Sequence, residues 1–321
     1  MKLKIKFTTT GVAVLAVAGI FAFASAARAQ GTTNPPQQTQ QQNQQQTPAT
    51  PTTPSTTPST SSPGQATPMA PGAMTPSVPK IDPAEESAYK SFTDLDPDAK
   101  DTQAPNSGAA DRDKQIQLGE AFVAKYPASK YDLRVYSQLV QDYYHKNDMD
   151  KMYAAGDKAL ALDPDDIAVL VLIGWVIPHT TGANTPDGSQ KLDQAEKYEK
   201  HALEVLPTTP KPENISDDQF AKVKVQAQSE AHSALGLIYF RRQDFANSIA
   251  ELQQGTSTAA SPDPTDYFVM GRELEALKRT NEAVDAYQKC VQIPGPLTNT
   301  CKQLLDQAKK DAAAAPATPK Q

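Results

Sequence analysis

The side chains able to do chemistry in this sequence are few and scattered. His145, His179, His201 and His232 stand far apart, with no second His, Cys or carboxylate at the spacing a metal site requires. They are expected to be solvated or packed between helices, and His232 to pack. Asp163, Asp165 and Asp166 crowd together, but the run does not fit a twelve-residue calcium loop, and at a helix start carboxylates cap free N–H groups. No nucleophile elbow, phosphate-cradling glycine loop or H-E-x-x-H is present. No catalytic residue, metal or cofactor is therefore expected, and the chain is not read as an enzyme. The remaining reactive groups are Cys290 and Cys301. In an oxidising compartment they would form a disulfide, worth roughly 3 kcal/mol for so short a loop; the other reading is two buried thiols between helices.

The N-terminus speaks for such a compartment. Lys2, Lys4 and Lys6 precede an apolar run from Gly11, and Ala27-Arg28-Ala29 offers small residues where a signal peptidase reads. Residues 1–29 are expected to be a signal peptide cleaved after Ala29. The rival is a retained anchor, because the 17 residues 11–27 are at the short edge of a bilayer span. With no Cys near the cleavage point, lipidation is not expected, and no other stretch is apolar enough to span. The chain has net charge −6, and losing the four cations of the signal leaves −10. Such a charge repels phosphate backbones and anionic lipid, so nucleic-acid binding is not expected.

The elements that must position any site begin late. Residues 30–81 are almost wholly Gln, Thr, Pro, Ser, Ala and Gly, a composition that cannot bury a core and reads as a disordered spacer. After Asp82 apolar residues recur at three and four with Pro and Gly at boundaries, which predicts helices throughout and an all-α chain. Residues 300–310 are expected to form a C-terminal capping helix, and 311–321 a disordered Ala/Pro tail.

A repeat of 34 to 35 residues runs through the helical part. Tyr136, Leu139, Val140 and Tyr143 are followed by Ala159 and Pro164. Leu170, Ile173, Gly174 and Ile177 are followed by Ala195, Ala202 and Pro207. His232, Leu235, Gly236 and Tyr239 precede Ser248 and Leu252, and Tyr267, Met270, Gly271 and Leu274 precede Ala283 and Tyr287. The pattern resembles the tetratricopeptide family, W-x2-L-G-x2-Y, then A-x3-F, then P. It departs from it where Gly156 and Glu199 replace an aromatic and Gly255 replaces the second alanine. The small residue at Gly174, Gly236 or Gly271 is expected to let two helices approach, with Ala195 or Ala283 opposite, and Pro164 and Pro207 to stop the second helix.

The resemblance implies a right-handed α-solenoid of about four to five helical hairpins. Residues 82–131 would form a degenerate first unit and 132–299 the repeat domain, with insertions at residues 178–190 and around Pro207, Pro210 and Pro212. Position within each unit projects Gln141 and Tyr144, Val171 and Trp175, Leu237 and Phe240, and Phe268 and Arg272 onto one concave groove. The aromatics and Arg in that set are types enriched at binding hot spots. The alternative is that some of them pack against the long inserted helix expected from Asp217 to Arg242, or under the Pro178 loop. The functional expectation is an exported, periplasmic or envelope-associated scaffold that binds a protein or peptide. Its rival is a carbohydrate- or substrate-recognition module assisting an envelope enzyme.

Overall fold

The computed structural model describes residues 82–95, 97–98, 108–182, 185–212 and 215–314. The signal peptide at 1–29, the spacer at 30–81 and the end of the tail from 315 lie outside the described residues. Within them the chain is all-helical, with eleven α-helices and no strand. In order they are α1 (Pro83–Thr93), α2 (Ala109–Lys125), α3 (Asp132–His145), α4 (Met149–Leu162), α5 (Ile167–Thr180) and α6 (Gly188–Val205). Then come α7 (Asp217–Arg241), α8 (Phe245–Thr258), α9 (Pro264–Ala276), α10 (Thr280–Gln292) and α11 (Thr298–Ala314). Successive helices pair as hairpins, α1 with α2 through α9 with α10, and α11 closes the array against α10. Odd-numbered helices also touch their odd neighbours, α3 with α5, α5 with α7 and α7 with α9, so the first helices of the later units run side by side.

Three hairpins share one turn. The residue after the C-cap has positive φ, at Asn147, Gln243 and Lys278. The next residue then donates back to the preceding helix: Asp148 N–H to the Tyr143 carbonyl at 2.9 Å, Asp244 to Tyr239 at 2.9 Å, and Arg279 to Leu274 at 2.8 Å. This is the Schellman closure, which satisfies carbonyls that the helix end leaves without partners. Asp148 and Asp244 then cap α4 and α8 through their side chains.

The seam glycines do bring helices together, but not against alanine. A β-carbon added at Gly174, Gly236 or Gly271 would collide with the side chains of Glu199, Leu252 and Tyr287 respectively. The expected partners Ala195 and Ala283 are buried one turn earlier. The close approach thus makes room for a large residue on the second helix.

Helix α5 is the most enclosed element, with Ile167 to Pro178 all buried. It does not stop at Pro178, where the insertion was expected to begin; it continues to Thr180, and α6 starts at Gly188, inside the expected loop. Arg241 Nε donates to the Pro178 carbonyl at 3.1 Å. Helix α7 opens with a capping box, Ser216 and Gln219 exchanging side-chain and backbone bonds. Its first turns place Phe220 and Val223 on Val171, Leu170 and Ala202. At the other end Cys290 of α10 and Cys301 of α11 are joined by a disulfide, and α11 begins two residues before the expected boundary and extends four beyond it.

Candidate functional site

The eight projected residues do not line a single open groove. Gln141, Tyr144, Val171, Trp175, Leu237 and Phe268 are all buried, Phe240 is partly buried and Arg272 is exposed. Val171 packs under the start of α7 with Phe220 and Val223, the arrangement raised as the alternative. Leu237, Phe240 and Phe268 join a second apolar cluster with Ile249 and Leu252. Tyr144 and Trp175 meet edge-on, centroids 6.3 Å apart at 83°, and Gln141 lies one turn before Tyr144 on α3. Trp175 also stacks on His179 at 3.8 Å, whose Nδ1 donates to the Trp175 carbonyl at 2.6 Å. Burial pushes His179 down to about 4, so it is neutral near pH 7.

Around this aromatic pair the seam is polar and incompletely satisfied. Glu199, fully buried, lies against Gly174, and neither carboxylate oxygen has a hydrogen-bond partner. Glu230 on α7 is 6% exposed; Gln226 Nε2 donates to its Oε1 at 2.7 Å, while Oε2 has no partner. The Gln141 amide and the Tyr144 hydroxyl are likewise buried without partners. Burial, and then the repulsion of Glu230, holds Glu199 well above the usual carboxylate range, and burial pushes Glu230 up to about 7. Burial, with the charge of Glu230, also raises Tyr144. Stripping water from a carboxylate without returning a donor costs on the order of kilocalories per group. Sequence reasoning noted Glu199 only as a departure from an aromatic position and did not single out Glu230. The signal available was an acid in an apolar slot.

Buried polar atoms go without partners in the α9–α10 hairpin as well, where both carboxylate oxygens of buried Glu273, pushed by burial up to about 8, and the Tyr287 hydroxyl have no hydrogen-bond partner. Other polar contacts are structural. Ser137 Oγ contacts Asp166 at 2.6 Å and Ser233 Oγ contacts Asp266 at 2.6 Å, the same clasp between successive units. Asp166 is the N-cap of α5, accepting from Val169 N–H, as capping predicts. Arg112 bridges Asp98 and buried Asp142 between α2 and α3. Three histidines face carboxylates: His201 lies 2.9 Å from Asp165 and 3.9 Å from Glu204, His232 2.7 Å from Glu251 and His145 3.6 Å from Asp98. Among the described residues no group of three or more His, Cys, Asp or Glu could hold a metal ion, and no helix is long and apolar enough to cross a membrane.

Residues 267–295, the hairpin of α9 and α10, match the tetratricopeptide repeat family model. No curated relative matches the chain. Among solved structures it is similar to the crystal structure of PilW, a widely conserved type IV pilus biogenesis factor, at 13% identity and TM-score 0.45, over 74% of this chain and 97% of that one. A self-assembling cyclic homo-oligomer from computational design aligns at 16% identity and TM-score 0.19, over 71% of this chain and 92% of that one.

Proposed function

We propose that this protein is a non-catalytic scaffold that binds a protein or peptide partner through the first helices of its hairpins. The observation that carries the reading is the tetratricopeptide repeat at 267–295, set in an array of five hairpins in which every neighbour packs on the next. Arrays of this kind present extended faces for binding, since each unit contacts only its neighbours. The signal-like residues 1–29 support export to the cell envelope, and the Gln/Thr/Pro spacer at 30–81 separates them from the helical part. The carbohydrate reading has no observation in its favour: it needs aromatic faces open to solvent, and Trp175 and Tyr144 are each 8% exposed.

The test is affinity capture from envelope extracts with the chain from residue 30 onward. It is run beside a Phe240→Ala, Arg272→Glu double variant that changes the two least buried residues of the projected face. Partners retained by the wild type and lost by a folded variant support the reading. Identical capture, or capture of nothing, overturns it.

A further inference from the structure

Several junctions of the array are tied by polar side chains that reach across. Gln115 Nε2 donates to the Phe92 carbonyl at 3.3 Å, joining α2 to α1, and Arg112 reaches Asp142 at 3.3 Å, joining α2 to α3. Ser137 and Ser233 clasp Asp166 and Asp266 at the start of the next first helix, and Arg242 pairs with Asp193 and Glu196 between α7 and α6. The junction of α10 with α11 has no such tie. Among the described residues no side-chain hydrogen bond or ion pair joins these two helices. The polar groups of α11 are used locally instead, Gln307 with Asp311, and Thr298 with Gly295 and Ile293 of the connecting turn.

The apolar hold on α11 is also shallow. Its 17 residues bury only Cys301, Leu305 and Ala308, a stripe at intervals of four and three that enters the C-terminal cluster with Ala283, Tyr287 and Cys290. It packs on α10, as the last element of the array. A lone helix of this size is marginal in water, so its order depends on docking, and one leucine and one alanine supply little of the area that docking needs. The Cys290–Cys301 bond makes up the difference. It links residues 11 apart in sequence, and closing so short a loop favours the docked arrangement roughly 100-fold.

We propose that α11 is a redox-locked cap: with Cys290 and Cys301 as thiols it lifts from α10, and their disulfide holds it closed, so this end of the array is completed only on oxidation. The step is thiol–disulfide exchange with an oxidant of the thiol-oxidase class. The thiolate of one cysteine attacks the oxidant's disulfide, forming a mixed disulfide and releasing one oxidant thiol. The second cysteine's thiolate attacks the mixed bond, forming Cys290–Cys301 and releasing the other. The two cysteines thus lose two protons and two electrons, and the oxidant becomes a dithiol. Both cysteines are fully buried in the closed form, so exchange takes place only while α11 is lifted, and closure then screens the bond from reductants. Lifting α11 uncovers Cys290 and the part of the cluster that Leu305 and Ala308 fill. The signal-like residues 1–29 support passage from a reducing into an oxidising compartment, where the lock would close.

The test is hydrogen exchange read by mass spectrometry on the chain from residue 30 onward. One sample is oxidised; a second is unfolded in urea with a phosphine reductant and refolded with the reductant present. A third is the Cys290→Ala, Cys301→Ala variant, which has neither bond nor thiols. Expected in the second and third samples is exchange at 302–314 faster by roughly 30-fold or more, with α5 and α9 changed by less than about threefold. Iodoacetamide should label both cysteines of the refolded reduced chain, and oxidised glutathione should restore protection of α11. Equal protection of α11 with and without the bond overturns the proposal, because the helix would then dock unaided. Loss of protection throughout the array overturns it as well, because the bond would then hold the whole fold and not its cap. Neither result depends on partner capture, so the scaffold reading is tested separately.

Discussion

The hairpin of α5 and α6 and the hairpin of α9 and α10 start from the same plan and diverge at one slot. Each first helix carries a glycine, Gly174 or Gly271, and the second helix lays a side chain over it. In the later hairpin that side chain is Tyr287, whose ring is fully buried among Met270, Leu274 and Cys290. In the earlier one it is Glu199, as deeply buried and without a donor. The later hairpin also has the tight positive-φ turn at Lys278 and a disulfide to the closing helix, while the earlier replaces that turn by residues 181–187. The slot over the glycine is thus filled by a ring in one hairpin and by a carboxyl in the other, although α9 also buries Glu273, whose carboxylate oxygens have no hydrogen-bond partner and which burial pushes up to about 8. Departures from a repeat pattern mark where the fold gives way to another requirement.

The largest effect comes from emptying the good slot. Tyr287→Ala leaves a cavity in the C-terminal cluster and should cost about 3–5 kcal/mol, read as a lowered denaturation midpoint in urea. A loss under about 1 kcal/mol would mean that the ring is not what holds this hairpin. Next is the reverse change in the poor slot. Glu199→Leu copies Leu252, removes an unsatisfied buried carboxyl, and should stabilise by about 1–3 kcal/mol; a destabilised variant would show that the carboxyl already has a partner.

Buried acids shift in the same direction across the array, Glu230 on α7 and both Asp266 and Glu273 on α9. Glu230 titrates near 4.5 when unfolded and at about 7 when folded, so its proton is held more tightly in the folded state. Its contribution is complete below about pH 4.5 and is lost as pH rises towards 7, with a slope of at most about 1.4 kcal/mol per unit. Asp142 at about 7 and Asp266 at about 8 act in the same direction, so the informative quantity is a difference. The stability of Glu230→Gln relative to wild type should increase between pH 5 and 7, by urea denaturation at each pH, and stay flat if Glu230 is ionised in the folded protein.

These contrasts show which features were legible in the sequence. The apolar periodicity, Pro164 and Pro207 fixed the helices, and the 35-residue spacing of Gly236 and Gly271 fixed the hairpins, because each is a local or strictly periodic constraint. The identity of the residue over each glycine was less legible: alanine matches the family letters, but the side chain one turn later reaches across. The eight projected groove residues were chosen by position on the helix. Burial is set by what packs from outside the unit, here the first turns of α7 covering Val171. Glu230 escaped because its environment is built by helices distant in sequence, α3 and α6, which no local pattern encodes.

The smallest expected effect tests the turn that the two hairpins do not share. Lys278 has φ of 60° and a β-carbon, a combination costing roughly 1 kcal/mol relative to glycine. Its N–H donates to the Glu275 carbonyl at 3.0 Å and the following Arg279 N–H to Leu274 at 2.8 Å, so the backbone geometry is retained when the side chain is removed. Lys278→Gly should therefore raise stability by up to about 1 kcal/mol, seen as a melting temperature a few degrees higher. Asn147→Gly should gain less, since asparagine tolerates this region. Thr181, at the end of α5, has φ −86° and ψ 119°, which any residue adopts, and its side chain is buried, so Thr181→Gly should cost backbone entropy and packing. A gain at Thr181 equal to that at Lys278 would mean that the turn strain is not what distinguishes the hairpins, and would leave the slot over the glycine as the whole of the difference.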